Sequence, residues 1–209
     1  MESKFKDTSC SQTESEFVTG KIFDAHCHIY PEKIAEKASK NTGAFYGLEA
    51  AGNGTVSDLI RLENQASVCG MLVHSVATKP EQVRSINRFL SETVQQHSDR
   101  MIGFGTMHPE STDLKGDFEL LLESGLSGVK MHPDIQGFAV DSCPMRKIWE
   151  LCLNAGIPVL IHTGDSRYHF SNPDQVVPVL RDYPDLRVIG AHFGGWSVWR
   201  EAMEKLCGF

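Results

Sequence analysis

The stretch Asp24-Ala25-His26-Cys27-His28 sets a carboxylate and two imidazoles at alternate positions. It continues Lys21-Ile22-Phe23, so the whole run reads as a β-strand. Strand side chains alternate between faces, which puts Asp24, His26 and His28 on one face and the apolar Phe23, Ala25, Cys27 and Ile29 on the other. Neutral imidazole is a good ligand for Zn²⁺, and two of them two residues apart on a strand can reach one ion. Taken alone, an HxH pair fits a polar seam of half-buried histidines as well, so the metal reading depends on what else lies near it.

The elements that would position these groups follow a rhythm. Six short β-type runs recur, at 21–29, 66–76, 101–108, 126–132, 157–163 and 186–193. Of nine histidines, seven fall at or near the C-terminal end of such a run: His26, His28, His74, His108, His132, His162 and His192. His97 and His169 do not. In a parallel barrel all strand ends of this sense meet on one rim, where catalytic groups collect. Between the runs the spacing predicts helices. Thr55-x-x-Asp58 opens one as a capping box, with Leu59 and Leu62 on one face. Pro80 opens another, followed by Val83, Ile86, Leu90 and Val94 at helical spacing. Phe118, Leu121 and Leu122 form an apolar face ended by Gly125, and Met145, Ile148, Trp149 and Cys152 one ended by Gly156. Pro173 starts a fifth with Val176, Val177 and Leu180 inward, and Trp199, Met203 and Leu206 mark a sixth before Gly208. The alternation argues for an α/β fold with a parallel sheet. Tyr30–Gly54 reads as a long loop with a partial helix.

Composition excludes several classes. The chain has 209 residues, enough for one large domain or two small ones. Its formal net charge is −7, from 20 basic and 27 acidic residues with no basic patch, which argues against nucleic acid or an anionic membrane surface as a partner. No apolar run approaches the ~18 residues of a membrane helix. Residues 1–20 are polar with no apolar signal-peptide core and read as a flexible leader. Six cysteines form no CxxC pair, and Cys27, Cys69 and Cys152 sit in apolar patterns as reduced core cysteines do, so a cytoplasmic location is expected.

Four motifs stand in order: Asp24-Ala25-His26-Cys27-His28, Gly128-Val129-Lys130-Met131-His132-Pro133, Ile161-His162-Thr163-Gly164 and Ala191-His192-Phe193-Gly194-Gly195. Together they resemble the amidohydrolase superfamily, and within it the amidohydrolase-related group that includes the aminocarboxymuconate-semialdehyde decarboxylase-like enzymes. Their order and spacing match strands 1, 4, 5 and 6 of that family's TIM-type (β/α)8 barrel, and the resemblance covers residues 21–209. It implies that His26, His28 and His162 bind a single divalent metal, most often zinc. It places His192 beside the metal as a catalytic group or a further ligand, able to orient a carbonyl or stabilise an oxyanion. The strand-4 Lys130 resembles the mononuclear branch, where it is not a ligand, and is expected to be a buried cation with a catalytic role. Lys130 and His132 share a strand face. His132 and His108 each precede a proline; each is a candidate substrate contact and equally a strand cap. Arg167, in the loop after strand 5, is a candidate for holding a substrate carboxylate bidentately, with an exposed loop as the plainer alternative.

The chemistry implied is hydrolysis of an amide, ester or lactone-type bond in a small-molecule substrate, because a three-histidine site with an open position lowers the pKa of bound water to about 7. The same half-site serves a non-oxidative decarboxylase, and an inactive metal-binding fragment is a third reading. DNA nucleases of the TatD-like branch also carry HxH but want a glutamate where this chain has Lys130, which argues against them. The family also implies a metal-binding aspartate at the end of strand 8. About six βα units are counted here, so an incomplete barrel, truncated before strands 7 and 8 and with little activity by itself, is expected. A homodimer is left open.

Overall fold

A computed structural model of the chain describes residues 21–209; the leader expected over residues 1–20 lies outside the described residues. Six strands, β1 (Ile22–His28), β2 (Val68–His74), β3 (Met101–Thr106), β4 (Val129–Met131), β5 (Val159–Ile161) and β6 (Val188–Gly190), lie side by side in chain order. Pairing is parallel at β1–β2, β3–β4, β4–β5 and β5–β6. Helices alternate with them: α1 (Glu32–Tyr46) and α2 (Val56–Gln65), then α3 (Val83–Gln96), α4 (Leu114–Glu123), the short α5 (Pro133–Gln136), α6 (Cys143–Ala155), α7 (Pro173–Asp182) and α8 (Trp199–Leu206). Each strand falls inside the run expected for it. β4 and β5 are three residues each. Pro133 and Pro158, flanking them, have no N–H with which to extend a ladder.

By contact the described residues form two compact units: 21–75 with Phe89–Gly103, and Val76–Arg88 with Phe104–Phe209. In the first, β1 and β2 carry the sheet, and Met71, Val73 and Ile29 are wholly buried. In the second, Val129, Met131 and Ile161 on the strands and Leu121, Met145, Ile148 and Trp149 on the helices are wholly buried. Strand glycines set the packing distances there. A Cβ on Gly105 would lie 2.6 Å from Leu121 Cδ1, and one on Gly128 2.6 Å from the Phe104 ring.

Several local readings change. The segment expected as a long loop with a partial helix contains a 15-residue helix, α1. Its buried stripe is Ala35, Ser39 and Gly43, small residues that leave no large-apolar periodicity to read. A Cβ on Gly43 would stand 2.6 Å from the Leu48 carbonyl, so only glycine lets the chain turn back that tightly. In α2 the Thr55 hydroxyl accepts from Asp58 N at 3.1 Å, but the reciprocal partner of the Asp58 carboxylate is Asn53 N, at 2.9 Å. Leu122 is exposed while Phe118 and Leu121 are buried. Val179, rather than Val177 or Leu180, joins Val176 inside α7. In α8 the buried residue is Ala202; Trp199 and Met203 are 50% and 65% exposed. Phe23, on the face read as apolar, is also exposed.

Candidate functional site

The first unit gathers three imidazoles. The β1–β2 register pairs Asp24 with Met71 but Cys27 with Val73, so β1 carries an extra residue, a bulge, between them. The bulge breaks the simple alternation. Asp24 lines the same cavity as His26 and His28, as the spacing predicts, but its carboxylate sits with other ligand atoms. Its carboxylate accepts from His26 N at 2.9 Å and lies within 4.8 Å of Cys27 Sγ and the Glu63 carboxylate. Burial first, then the Asp24 charge, holds Glu63 above the usual carboxylate range, and the same two causes raise the Cys27 thiol. The face that remains is purely imidazole. His26, His28 and His74 each offer a ring nitrogen within 4.8 Å of the others. His26 and His28 line a cavity of about 370 Å³ with Tyr30, Thr42, Tyr46 and Leu59, so α1 and α2 form part of its wall.

The second unit gathers another set around β4, β5 and β6. Here the strands place Lys130, His132, His162 and His192. His132 and His162 stack at 4.0 Å between ring centroids with planes 7° apart. His162 Nδ1 and His192 Nε2 lie 3.1 Å apart, within hydrogen-bond distance. The other nitrogen of His162, Nε2, is 3.6 Å from Asp134 Oδ2, and Ser171 Oγ donates to that oxygen at 2.5 Å. His132, Asp134 and His162 form a second group of ligand atoms within 4.8 Å. Burial pushes the Asp134 carboxyl above the usual range despite its bond from Ser171.

Lys130 is wholly buried, and its ammonium has no hydrogen-bond partner among the described residues. Burial pulls its pKa down to about 7. His192 is held at about 4, by burial first and by the nearby Lys130 charge second. Its backbone is left-handed, with φ 56°, and Phe193 follows at 55°. Non-glycine residues adopt that region at a cost of about 1–3 kcal/mol, and only where surroundings enforce it. Here the His192 carbonyl accepts from Trp199 Nε1 at 3.0 Å and from Gly195 N at 3.2 Å. The Trp196 ring stands edge-on to the imidazole at 5.2 Å.

The other expected residues are placed as follows. His108 is buried in the second unit; its Nδ1 accepts from Glu110 N at 3.2 Å, and burial lowers its pKa. His132 Nδ1 caps α5 by accepting from Ile135 N at 3.3 Å, so capping occupies one nitrogen and leaves the ring face to His162. The Arg167 guanidinium grips Asp165 through Nε at 2.9 Å and a terminal nitrogen at 2.6 Å. A substrate carboxylate would have to displace that pair. Burial works against the Asp165 charge, but the bonds from Arg167 outweigh it and hold its pKa low.

Sequence reasoning did not select His74, Asp134 or Gln136 for the site. His74 is one of the strand-end histidines, and that was its only signal. Gln136, one helical turn after His132, is buried and ties three chain segments together. Its Oε1 accepts from His132 N at 3.0 Å, and its Nε2 donates to the Ala77 and Met107 carbonyls at 3.0 and 2.9 Å. Nothing in local spacing announces such a role.

The donor sets fit a divalent transition metal. Imidazole and carboxylate suit zinc and its neighbours, and Zn–N bonds of about 2.0–2.1 Å ask the nitrogens to close to about 3.4 Å, a shift side chains can make.

The Amidohydrolase family model matches residues 20–207, so the chain belongs to the amidohydrolase family. No curated protein matches the chain. Among solved structures, an uncharacterized TIM-barrel protein from Bordetella bronchiseptica is 18% identical with a TM-score of 0.70, covering 88% of this chain and 70% of that one. A 5-carboxyvanillate decarboxylase from Novosphingobium aromaticivorans, with bound manganese and a nitrobenzoic acid ligand, is 16% identical with a TM-score of 0.64, covering 88% and 68%. A probable 2-pyrone-4,6-dicarboxylic acid hydrolase from Acinetobacter baumannii is 18% identical with a TM-score of 0.55, covering 84% and 59%. At these identities the likeness is one of fold. The fold class is a TIM-type α/β barrel, incomplete here, with six parallel strands among the described residues. No helix among the described residues is long and apolar enough to cross a membrane.

Proposed function

We propose that this chain carries the catalytic groups of a metal-dependent hydrolase acting on an amide, ester or lactone-type bond of a small molecule. The observation that carries the reading is the pair His26 and His28, metal-ligand side chains opening onto a cavity of about 370 Å³, within the range of small-molecule sites. The family resemblance assigns His26, His28 and His162 to a divalent metal, most often zinc; a decarboxylase of similar fold holds manganese. Such an ion supplies Lewis-acid polarisation and activates water.

The chain's own residues would do the rest. His162 would be one of the residues holding the ion, and with the proton on its Nδ1 it would donate to His192 Nε2, 3.1 Å away. That would place the His192 proton on Nδ1 and orient its ring. Burial keeps His192 neutral, so it acts as a hydrogen-bonding or proton-accepting group. Tyr30 and Tyr46 line the cavity that would receive the substrate.

One observation favours a second reading, non-oxidative decarboxylation. The Lys130 amine is buried without a partner among the described residues, in the same unit as His192. A buried amine of that kind suits an anionic substrate group, and relatives of this fold include a decarboxylase of a carboxylated aromatic acid.

The test is to assay the zinc- and manganese-loaded chain against lactones, amides and esters alongside carboxylated aromatic acids, following ring opening or hydrolysis and CO₂ release separately. Metal-dependent hydrolysis supports the first reading. CO₂ release supports the second. Stoichiometric metal with no turnover on either arm leaves a metal-binding fragment.

A further inference from the structure

His74 stands at the end of β2, directly opposite His28 in the β1–β2 ladder. Its ring centroid lies 4.3 Å from that of His28 and 4.6 Å from that of His26, with planes at 87° and 85°; His26 and His28 are 5.4 Å apart. The three rings thus form a compact triangle whose nitrogens approach within 4.8 Å. We propose that His74 is a protein ligand of the metal, so that β1 and β2 by themselves present a three-imidazole site for a zinc-like divalent cation. The inference rests on the metal reading above and adds a ligand to the set that the family resemblance assigns.

Three features support it. His74 is wholly buried, whereas His26 and His28 line the cavity. The site therefore has an inner ligand fixed in the sheet and two outer ligands facing the space a substrate would enter. The strand ends around it are pinned. Ile29 N donates to the His74 carbonyl at 3.1 Å, and Ser75 Oγ donates to the Ile29 carbonyl at 2.5 Å, so the backbone that carries His28 and His74 is held on both strands. Such pinning preorganises a ligand set. Finally, the three clustered ligand atoms are all imidazole nitrogens, with the Asp24 carboxylate grouped instead with Cys27 and Glu63, and an all-nitrogen set favours zinc, cobalt or copper over magnesium or calcium.

The test uses the full chain, with metal content, zinc affinity and a count of coordinated imidazoles from spin-echo modulation of the copper-loaded protein. Wild type should bind metal. His74→Gln should weaken zinc by about 100-fold or more, beyond the loss expected from an outer-sphere partner, and remove one imidazole from the count. His162→Ala should keep measurable binding, and ¹⁵N spectra of that variant's histidines should show three rings moved by zinc. That last measurement holds even where His74→Gln fails to fold. Folded His74→Gln with unchanged affinity and imidazole count, or only two rings moving in His162→Ala, overturns the role of His74 and leaves the metal reading standing. A wild-type chain that takes up no zinc, copper or manganese overturns both.

Discussion

His162 Nδ1 and His192 Nε2 lie 3.1 Å apart, although 30 residues separate them in the chain. The contact joins the ends of β5 and β6 and couples the tautomers of the two rings, since only one of the facing nitrogens can carry the proton. Because His162 is the proposed ligand of the two, His192 is expected to act through proton placement. His192→Asn should lower kcat by about 100- to 10,000-fold. Metal content, measured by mass spectrometry on the same sample, should stay at the wild-type level. Metal loss in proportion to activity would instead make His192 a ligand.

That contact depends on glycine. Gly164, at φ 73°, packs so closely on the next loop that a Cβ would sit 2.6 Å from Gly195 Cα. Gly164→Ala is therefore expected to destabilise by about 1–3 kcal/mol and to displace the His162–His192 pair. Denaturant unfolding gives the first quantity. Reduced activity in the folded fraction would report the second.

Gln136 supplies a separate test of how the strand ends are held. Gln136→Leu keeps roughly the same volume but leaves the buried His132 N and the Ala77 and Met107 carbonyls without this partner. Buried groups stripped of a partner cost about 1–3 kcal/mol each. The unfolding temperature should fall markedly in Gln136→Leu, and in Gln136→Glu, which sets a buried carboxylate oxygen against the Ala77 and Met107 carbonyls, it should fall at least as far at neutral pH.

Lys130 makes stability depend on pH. Its folded pKa is depressed to about 7 by burial, whereas in the unfolded chain it returns to the ordinary lysine value of 10.5. Between those values the unfolded chain binds the extra proton, so stability rises as pH rises through this window and is lost as pH falls toward 7. Below that both states are protonated and the penalty is complete. Lys130→Met removes the penalty. Its unfolding temperature relative to wild type should be more favourable at pH 6.5 than at pH 9.5 by a clear margin, about one proton's linkage. A difference independent of pH would mean that Lys130 carries its charge unperturbed.

Much of the architecture was legible along the chain. The six parallel strands lie inside the β-type runs, because strand periodicity and the proline and glycine punctuation around it are local properties. The position of histidines at strand ends was equally local. The length of helix α1 was not legible beyond a partial helix, because its buried stripe is Ala35, Ser39 and Gly43 and carries no hydrophobic contrast. The outward turn of Trp199 and Met203 was also hidden: an apolar periodicity marks a face, but what that face meets is a tertiary matter.

The sequence by itself determined the order of strands and helices, the membership in the amidohydrolase family through four spaced motifs, and the residue types available for metal and proton chemistry. The tertiary structure decided which of those residues meet within each unit. Asp24 lines the same cavity as His26 and His28 while its carboxylate meets Cys27 and Glu63, and His74 joins the two histidines because parallel pairing sets it opposite His28. Asp134 reaches His162, and Gln136 reaches the Ala77 and Met107 carbonyls, across gaps of 28 or more residues. Register and chain crossing are relations between segments, and spacing within one segment does not encode them.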